Sequence, residues 1–173
     1  MYLIQFCRVI ATLALALSLL GCGVTASSNN AGYADLDSLG FKDVDTTMSL
    51  SLGSSILHFA SSNMEDDPET RILLRNLDGV RVKTYDIVGD GARVLDRIDK
   101  MSQKLQKQGW EPVITVREEG ERTVLLMKTR GQRIVGLTVI NCDAVEAVVV
   151  NVMGDLRPEM FAETIRLTDR HSS

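Results

Sequence analysis

The C-terminal half of the chain constrains the fold more than any other part. From Trp110 to Gly154 it is a succession of apolar stretches, "WEPVITVR", "RTVLLMKTR", "RIVGLTVIN" and "AVEAVVVNVMG". The first two flank "EEGE", the third follows Gly131 and the fourth follows Asp143. Strands joined by such short connections pair antiparallel, because a parallel return needs a long crossover. The last stretch is apolar on both faces from Val145 to Val152, as a strand in the middle of a sheet requires. A four-strand meander is the expected backbone of the fold.

The segments before it supply the other elements. "TTMSLSLG" alternates Met48, Leu50 and Leu52 with Thr47, Ser49 and Ser51, a period of two that predicts a strand with one buried face, ended by Gly53. "SSILHFASSN" brings Ile56, Leu57, Ala60 and Met64 onto one side of a short helix. "DDPETRILLRNLDG" predicts a second helix, N-capped by Asp67, with Pro68 in its first turn and Gly79 just past its end. A strand over Val80–Val88 follows, and its alternation slips near Thr84, as a bulge would make it. In "GDGARVLDRIDKMSQKLQKQG", Val94, Leu95, Ile98, Met101 and Leu105 form one helical stripe, with Gly109 placed to cap it. "RPEMFAETIRLTD" predicts a closing helix started by Pro158, with Met160, Phe161 and Ile165 toward the core. The order β-α-α-β-α-β-β-β-β-α implies an α+β two-layer sandwich: a mostly antiparallel sheet, a C-terminal four-strand meander, and helices packed on one face.

Three of these stretches together resemble the bacterial domain-of-unknown-function family 4252. They are "MSLSLGSSIL", "DDPETRILLRNLDGVRVKTYDI" and "IVGLTVINCDAVEAVVVNVMGDLRPE", the last carrying an Asn-x-x-Gly turn at Asn151 and Gly154. The resemblance covers about residues 44–166. It implies a small exported bacterial protein, in many members with a lipoprotein signal. Some members occur near extracytoplasmic sigma-factor systems, which points to envelope signalling. The matching motifs are fold markers, so the resemblance supplies no catalytic residue.

The N-terminus reads as a targeting segment. Its apolar run, Val9–Leu20, is 12 residues long, against the roughly 20 that a membrane-spanning helix needs. A cation at Arg8, an apolar middle and small residues beyond it fit a signal peptide. "LLGC", Leu19-Leu20-Gly21-Cys22, resembles the lipobox of bacterial lipoproteins. That resemblance implies cleavage between Gly21 and Cys22 and a diacylglyceryl thioether on the Cys22 sulfur. The new amino group is usually acylated as well, with fatty acids such as palmitate. Two or three chains hold firmly where one holds marginally, since each buried CH₂ contributes about 0.8 kcal/mol. Gly23 after the cysteine, in place of Asp, implies sorting to the outer membrane and exposure to the periplasm. The expected division is a signal peptide over 1–21, a lipidated Cys22 with a flexible Ser/Asn/Gly-rich tether over 22–43, and a single α+β domain over 44–173.

Charge and composition narrow the partners. The net charge is −4, and loss of residues 1–21, whose only charged side chain is Arg8, makes it −5. An acidic chain without a Lys/Arg cluster is not expected to bind nucleic acid, nor anionic lipid heads by electrostatics. Trp110 is the only tryptophan, which argues against a carbohydrate-stacking surface.

No catalytic constellation emerges from the residues. His58 and His171 are the only histidines and have no His-x-x-His or Glu-x-x-His spacing. Glu65, Asp66, Asp67 and Glu69 surround Pro68 at a helix start, where acids serve as caps and dipole partners, not as a calcium loop. "VGDGAR" reads as a tight turn into a helix and not as a phosphate cradle. "LGSSIL" lacks the frame of a nucleophile elbow. The methionines are scattered at core spacings and form no copper cluster. Cys142 is expected as a small buried thiol at a strand end, and a Cys22–Cys142 disulfide would be a poor staple.

No metal and no cofactor are therefore expected, and the chain is not expected to be an enzyme. The expected role is that of a lipid-anchored envelope protein that binds a protein partner in signalling or assembly. The alternatives are a periplasmic small-ligand carrier or sensor with a pocket between sheet and helices, and a hydrolase using Asp86 and Asp90.

Overall fold

The computed structural model describes residues 24–35, 46–64, 67–87, 91–118 and 120–157. Six strands form one antiparallel sheet: β1 (Thr46–Gly53), β2 (Leu77–Asp86), β3 (Trp110–Glu118), β4 (Glu121–Arg130), β5 (Arg133–Cys142) and β6 (Glu146–Leu156). Their spatial order is β1-β2-β6-β5-β4-β3. Between β1 and β2 come two short helices, α1 (Ser54–Ser62) and α2 (Pro68–Asn76). Helix α3 (Gly91–Lys107) carries the chain from β2 to the far edge of the sheet. The meander β3–β6 then returns to lie beside β2. The fold is α+β, with the central strand β6 buried between β2 and β5 as its two-sided apolar sequence requires. The closing helix expected from Pro158 lies outside the described residues, as do the signal peptide and Cys22.

The register sorts the side chains onto two faces. On the first face, one row runs Ser49, Lys83, Val149, Ile140, Val124, Thr115, from β1 to β3. Leu95, Ile98, Met101 and Leu105 of α3 pack there, forming the main core with Trp110, Tyr85, Val124, Leu126, Ile140, Cys142, Ala147 and Val149. Successive steps of three, three and four residues along the helix are what bring all four side chains onto one face. Helices α1 and α2 gather a second cluster, Leu57, Leu77 and Leu156, with Leu52, Leu74, Val80, Ile134, Leu137 and Val152 around it. Val80 and Val152 alternate with Arg81 and Asn151, so the short helices sit on the second face, at the end where β1 finishes. The helices, expected on one face, are therefore divided between two, because amphipathicity gives each helix an apolar side without saying which face of the sheet it covers.

Three local details differ from the sequence expectation. The buried side of α1 is Leu57 and Ser61, while Ile56 is 38% exposed and faces outward. Ser61 is tolerated inside because its hydroxyl donates to the His58 carbonyl at 2.7 Å. Helix α2 ends at Asn76, and Gly79, expected as its stop, lies inside β2. The slip near Thr84 is matched by an irregularity in β1, where Thr46 pairs with Tyr85 and Met48 with Thr84. Thr47 is the unpaired residue, and its hydroxyl donates to the Thr84 carbonyl.

The stretch expected as a flexible tether is not one over residues 24–35, which lie folded against the first face as a strap. The Val24 carbonyl accepts from the Gly53 N–H at 2.8 Å, and the Ala26 N–H donates to the Ser51 hydroxyl. Asn151 of β6, fully buried, holds the strap from below. Its side-chain oxygen accepts from the Ala34 N–H at 3.0 Å, and its amide donates to the Gly32 carbonyl at 3.0 Å and to Leu137 and Thr138 in β5. Arg81 donates to the Ala34 carbonyl and lies under the Tyr33 ring, 4.5 Å from its centroid. Gly32 is pressed so closely on β5 that a Cβ there would fall 1.8 Å from the Val135 carbonyl oxygen. A composition poor in large apolar residues resembles a linker, yet here it lets the backbone reach the sheet and be hydrogen-bonded by it.

The sequence-expected cap of α2 forms. Asp67 accepts from the Thr70 N–H at 3.0 Å, and its carboxyl is held below the usual range by the Thr70 side chain and then its backbone N–H. Asp143 is lowered in the same way by the N–H groups of Val145 and Glu146. Both carboxylates have folded-state pKa values below their unfolded ones. Their contribution is therefore present above the ordinary carboxylate range and lost as pH falls through the lowered values. Asp67→Asn with Asp143→Asn is expected to flatten the acid limb of a stability–pH curve measured by urea unfolding. A limb of unchanged slope would contradict this.

Candidate interaction surface

One part of the second face has no cover among the described residues. A row of apolar side chains crosses all six strands: Leu50, Val82, Val150, Val139, Leu125 and Ile114. None belongs to either buried cluster. Leu50 is 42% and Ile114 49% exposed, and the four between them are half-buried by their neighbours in the sheet. In the next row Met48 and Val116 are exposed, with Val148 and the hydrogen-bonded pair Asn141–Thr123 between them. Period-two alternation fixes this arrangement. Residues that put Arg81, Asn151 and Thr138 under the strap necessarily put Val82, Val150 and Val139 on the other side. A contiguous apolar patch of this kind marks a place where a protein expects cover.

The groups considered for chemistry are dispersed. His58 sits on exposed α1, and its ring Nε2 contacts the Arg75 carbonyl at 3.2 Å. His171, Glu65, Asp66 and Asp90 lie outside the described residues, as do Gly21 and Cys22. Asp86 is exposed at the end of β2, and Glu69 follows the Asp67 cap in the first turn of α2. Among the described residues no group of three His, Cys, Asp or Glu side chains could hold a metal ion. No helix there is long and apolar enough to cross a membrane.

Two clefts open on the surface. A small one of about 200 Å³ lies beside α3 and β3, next to Asp99, which pairs with Arg122 and, at 3.8 Å, with Arg117. A wider one of about 430 Å³ lies between the strap and the β4–β5 turn, lined by Asn30, Asp78, Arg130, Arg133 and Asp155. Two pairs of its polar groups meet: Asn30 donates to Asp78 at 2.8 Å, and Arg133 lies 3.6 Å from Asp155. Neither cleft joins a nucleophile to a base within hydrogen-bond reach.

Cys142 is fully buried at the end of β5. Burial, and then the neighbouring Asp143 carboxylate, push its thiol up to about 11 against the opposing pull of Arg122. At pH 8 its thiolate population is about a hundred-fold below that of an ordinary cysteine. Iodoacetamide labelling of the folded protein at pH 8 is expected to be slower by at least that factor than in urea. Equal rates in the two conditions would contradict the burial.

Sequence reasoning missed the strap's anchorage and the uncovered face. The signal for the face was present in "TTMSLSLG" and "AVEAVVVNVMG", but nothing local says which of two apolar faces a helix will cover. No curated protein matches the chain. The family described as a domain of unknown function, DUF4252, matches residues 41–164, from before β1 to beyond the end of β6. Over that span, most of its length, the chain belongs to the DUF4252 family.

Proposed function

We propose that this is a non-enzymatic, lipid-anchored cell-envelope protein that binds a protein partner through the second face of its sheet. The observation that carries the reading is the apolar row from Leu50 to Ile114, which has no cover among the described residues beside the α1–α2 pair. Flat apolar sheet faces bury well against a helix or a second sheet, at about 25 cal/mol for each Å² removed from water. The lipobox at Leu19–Cys22 supplies the location: lipid on Cys22, and retention at the outer membrane on its periplasmic side. In this reading the partner carries the chemistry of signalling or assembly, and this chain supplies the docking surface.

The test is photo-crosslinking in living cells from a benzoylphenylalanine placed at Leu125, with Asp96 on the outer side of α3 as the control position. A discrete adduct from Leu125 only, lost in Cys22→Ser, is the expected result. Crosslinks confined to the chain itself, or equal from both positions, would remove the reading.

A further inference from the structure

The strap sets how far the domain stands from its own anchor. Val24 is fixed to Gly53 by a backbone hydrogen bond of 2.8 Å. Cys22 is two residues earlier in the chain, and two residues of extended backbone span at most about 7 Å. Helix α1 starts at the residue after Gly53. A lipid on Cys22 would thus hold the Gly53 end of the sheet within a headgroup layer of the acyl chains, a layer about 5–8 Å thick.

That end differs in character from the rest of the molecule. Phe59, 72% exposed, and Ile56, 38% exposed, stand on one side of α1 at i, i+3 spacing, and Ile72 of α2 is 54% exposed. The strand register brings Gly53, Leu77, Arg133 and Arg130 to this same end. Arg75, Arg130, Arg133 and Arg157 are exposed there, and α3 ends there with Lys104 and Lys107 in its last turn; the acids of this end are Asp78, Glu111 and Asp155, the last 3.6 Å from Arg133. The opposite end carries Asp86, Glu118, Glu121, Asp143 and Glu146, while its arginines, Arg117 and Arg122, are both turned to Asp99. The net charge of the whole chain argued against anionic lipid, but at the end nearest the anchor cations outnumber acids and stand beside large apolar side chains.

We propose that this end is a membrane-contact surface, with Phe59 and Ile56 in the headgroup–acyl boundary and Arg75, Arg130 and Arg133 at the lipid phosphates. The inference rests on the lipid-anchor reading of Cys22 and adds an orientation to it. An apolar face of this size enters the boundary region by about 5–10 Å, and nearby cations strengthen the contact with anionic lipid. The contact alone would be weak. Joined to an anchor two residues away, it becomes an intramolecular step at high effective concentration. The domain then stands in one orientation, with its Asp143–Glu146 end toward the aqueous space and the open sheet face to the side.

The test uses the full chain, produced in a bacterium that processes lipoproteins, with intact mass reporting the lipid on Cys22. Phe59→Trp and Val145→Trp are reconstituted in phosphatidylethanolamine–phosphatidylglycerol vesicles with brominated or plain acyl chains. Val145, 68% exposed, marks the far end, and the buried Trp110 of the unsubstituted protein gives the baseline. Because the boundary lies within bromine reach, Phe59→Trp is expected to lose about half its added emission in brominated vesicles, and Val145→Trp almost none. Ile72→Trp, on the neighbouring helix, should follow Phe59→Trp and covers the case in which that substitution fails to fold. Lipid on Cys22 with equal quenching at both ends, or none at either, would overturn the orientation and leave the anchor standing. A chain without lipid at Cys22 would overturn both.

Discussion

Trp110→Ala is expected to cost about 3–5 kcal/mol, the range for emptying a large buried aromatic site. Trp110 is 1% exposed and begins β3 at the edge of the sheet. Its ring closes the core between α3 and the strap, with a ring carbon 2.8 Å from where a Cβ on Gly136 would stand. Lys128 lies 5.6 Å from the ring centroid. The indole N–H has no hydrogen-bond partner among the described residues, so the loss expected on truncation is one of packing. Trp110→Phe is therefore expected to recover much of the stability. Urea unfolding followed by far-UV circular dichroism measures both variants. A loss below about 1 kcal/mol for Trp110→Ala would mean that the site collapses on itself and that the close packing seen at Gly136 is not needed.

Asn151→Leu is expected to release the strap. Its side chain satisfies the Ala34 N–H and the Gly32 carbonyl in a site with no access to water. Leucine is nearly the same size, so the cost comes from the buried backbone groups left unpaired, about 1–3 kcal/mol each. The Ala34 N–H, 117 residues distant in sequence, should then exchange with solvent orders of magnitude faster, by the usual conversion of about 1.4 kcal/mol per tenfold. Arg81 would also lose a partner if Ala34 moved. Hydrogen exchange at Ala34 and limited proteolysis between residues 24 and 35 give the readout. Unchanged protection at Ala34 would mean that Arg81 and the Val24–Gly53 bond hold the strap without Asn151. On the proposed lipid anchor and membrane contact, a released strap would turn a rigid mount into a long tether, so this variant should abolish the orientation without affecting acylation of Cys22.

How much of this was legible in the sequence depends on the range of the interaction. The four-strand meander was legible because short turns force neighbours to pair, and β6 declared itself central by being apolar on both faces. Helix α3 was legible from a stripe spanning Leu95 to Leu105, and the start of α2 from Asp67 and Pro68 in adjacent positions. Each is a local rule acting over a few residues. The stop of α2 was misplaced because Gly79 has two uses. Glycine can end a helix, but here it lies in β2 beneath Ala26, whose Cβ is 2.8 Å from where a Cβ on Gly79 would be. Nothing near Gly79 in sequence announces a neighbour from the strap.

By itself, then, the sequence determined the elements from β1 to β6, their order and the α+β class. It also carried the lipobox pattern at Cys22. Tertiary structure alone decided three things. It laid residues 24–35 on the first face through Asn151 and Arg81, it sent the short helices to the opposite face from α3, and it left the row from Leu50 to Ile114 without cover among the described residues. The physical reason is common to all three. Periodicity says that a surface is apolar, whereas the partner that covers it is chosen by hydrogen bonds and packing between residues far apart in the chain.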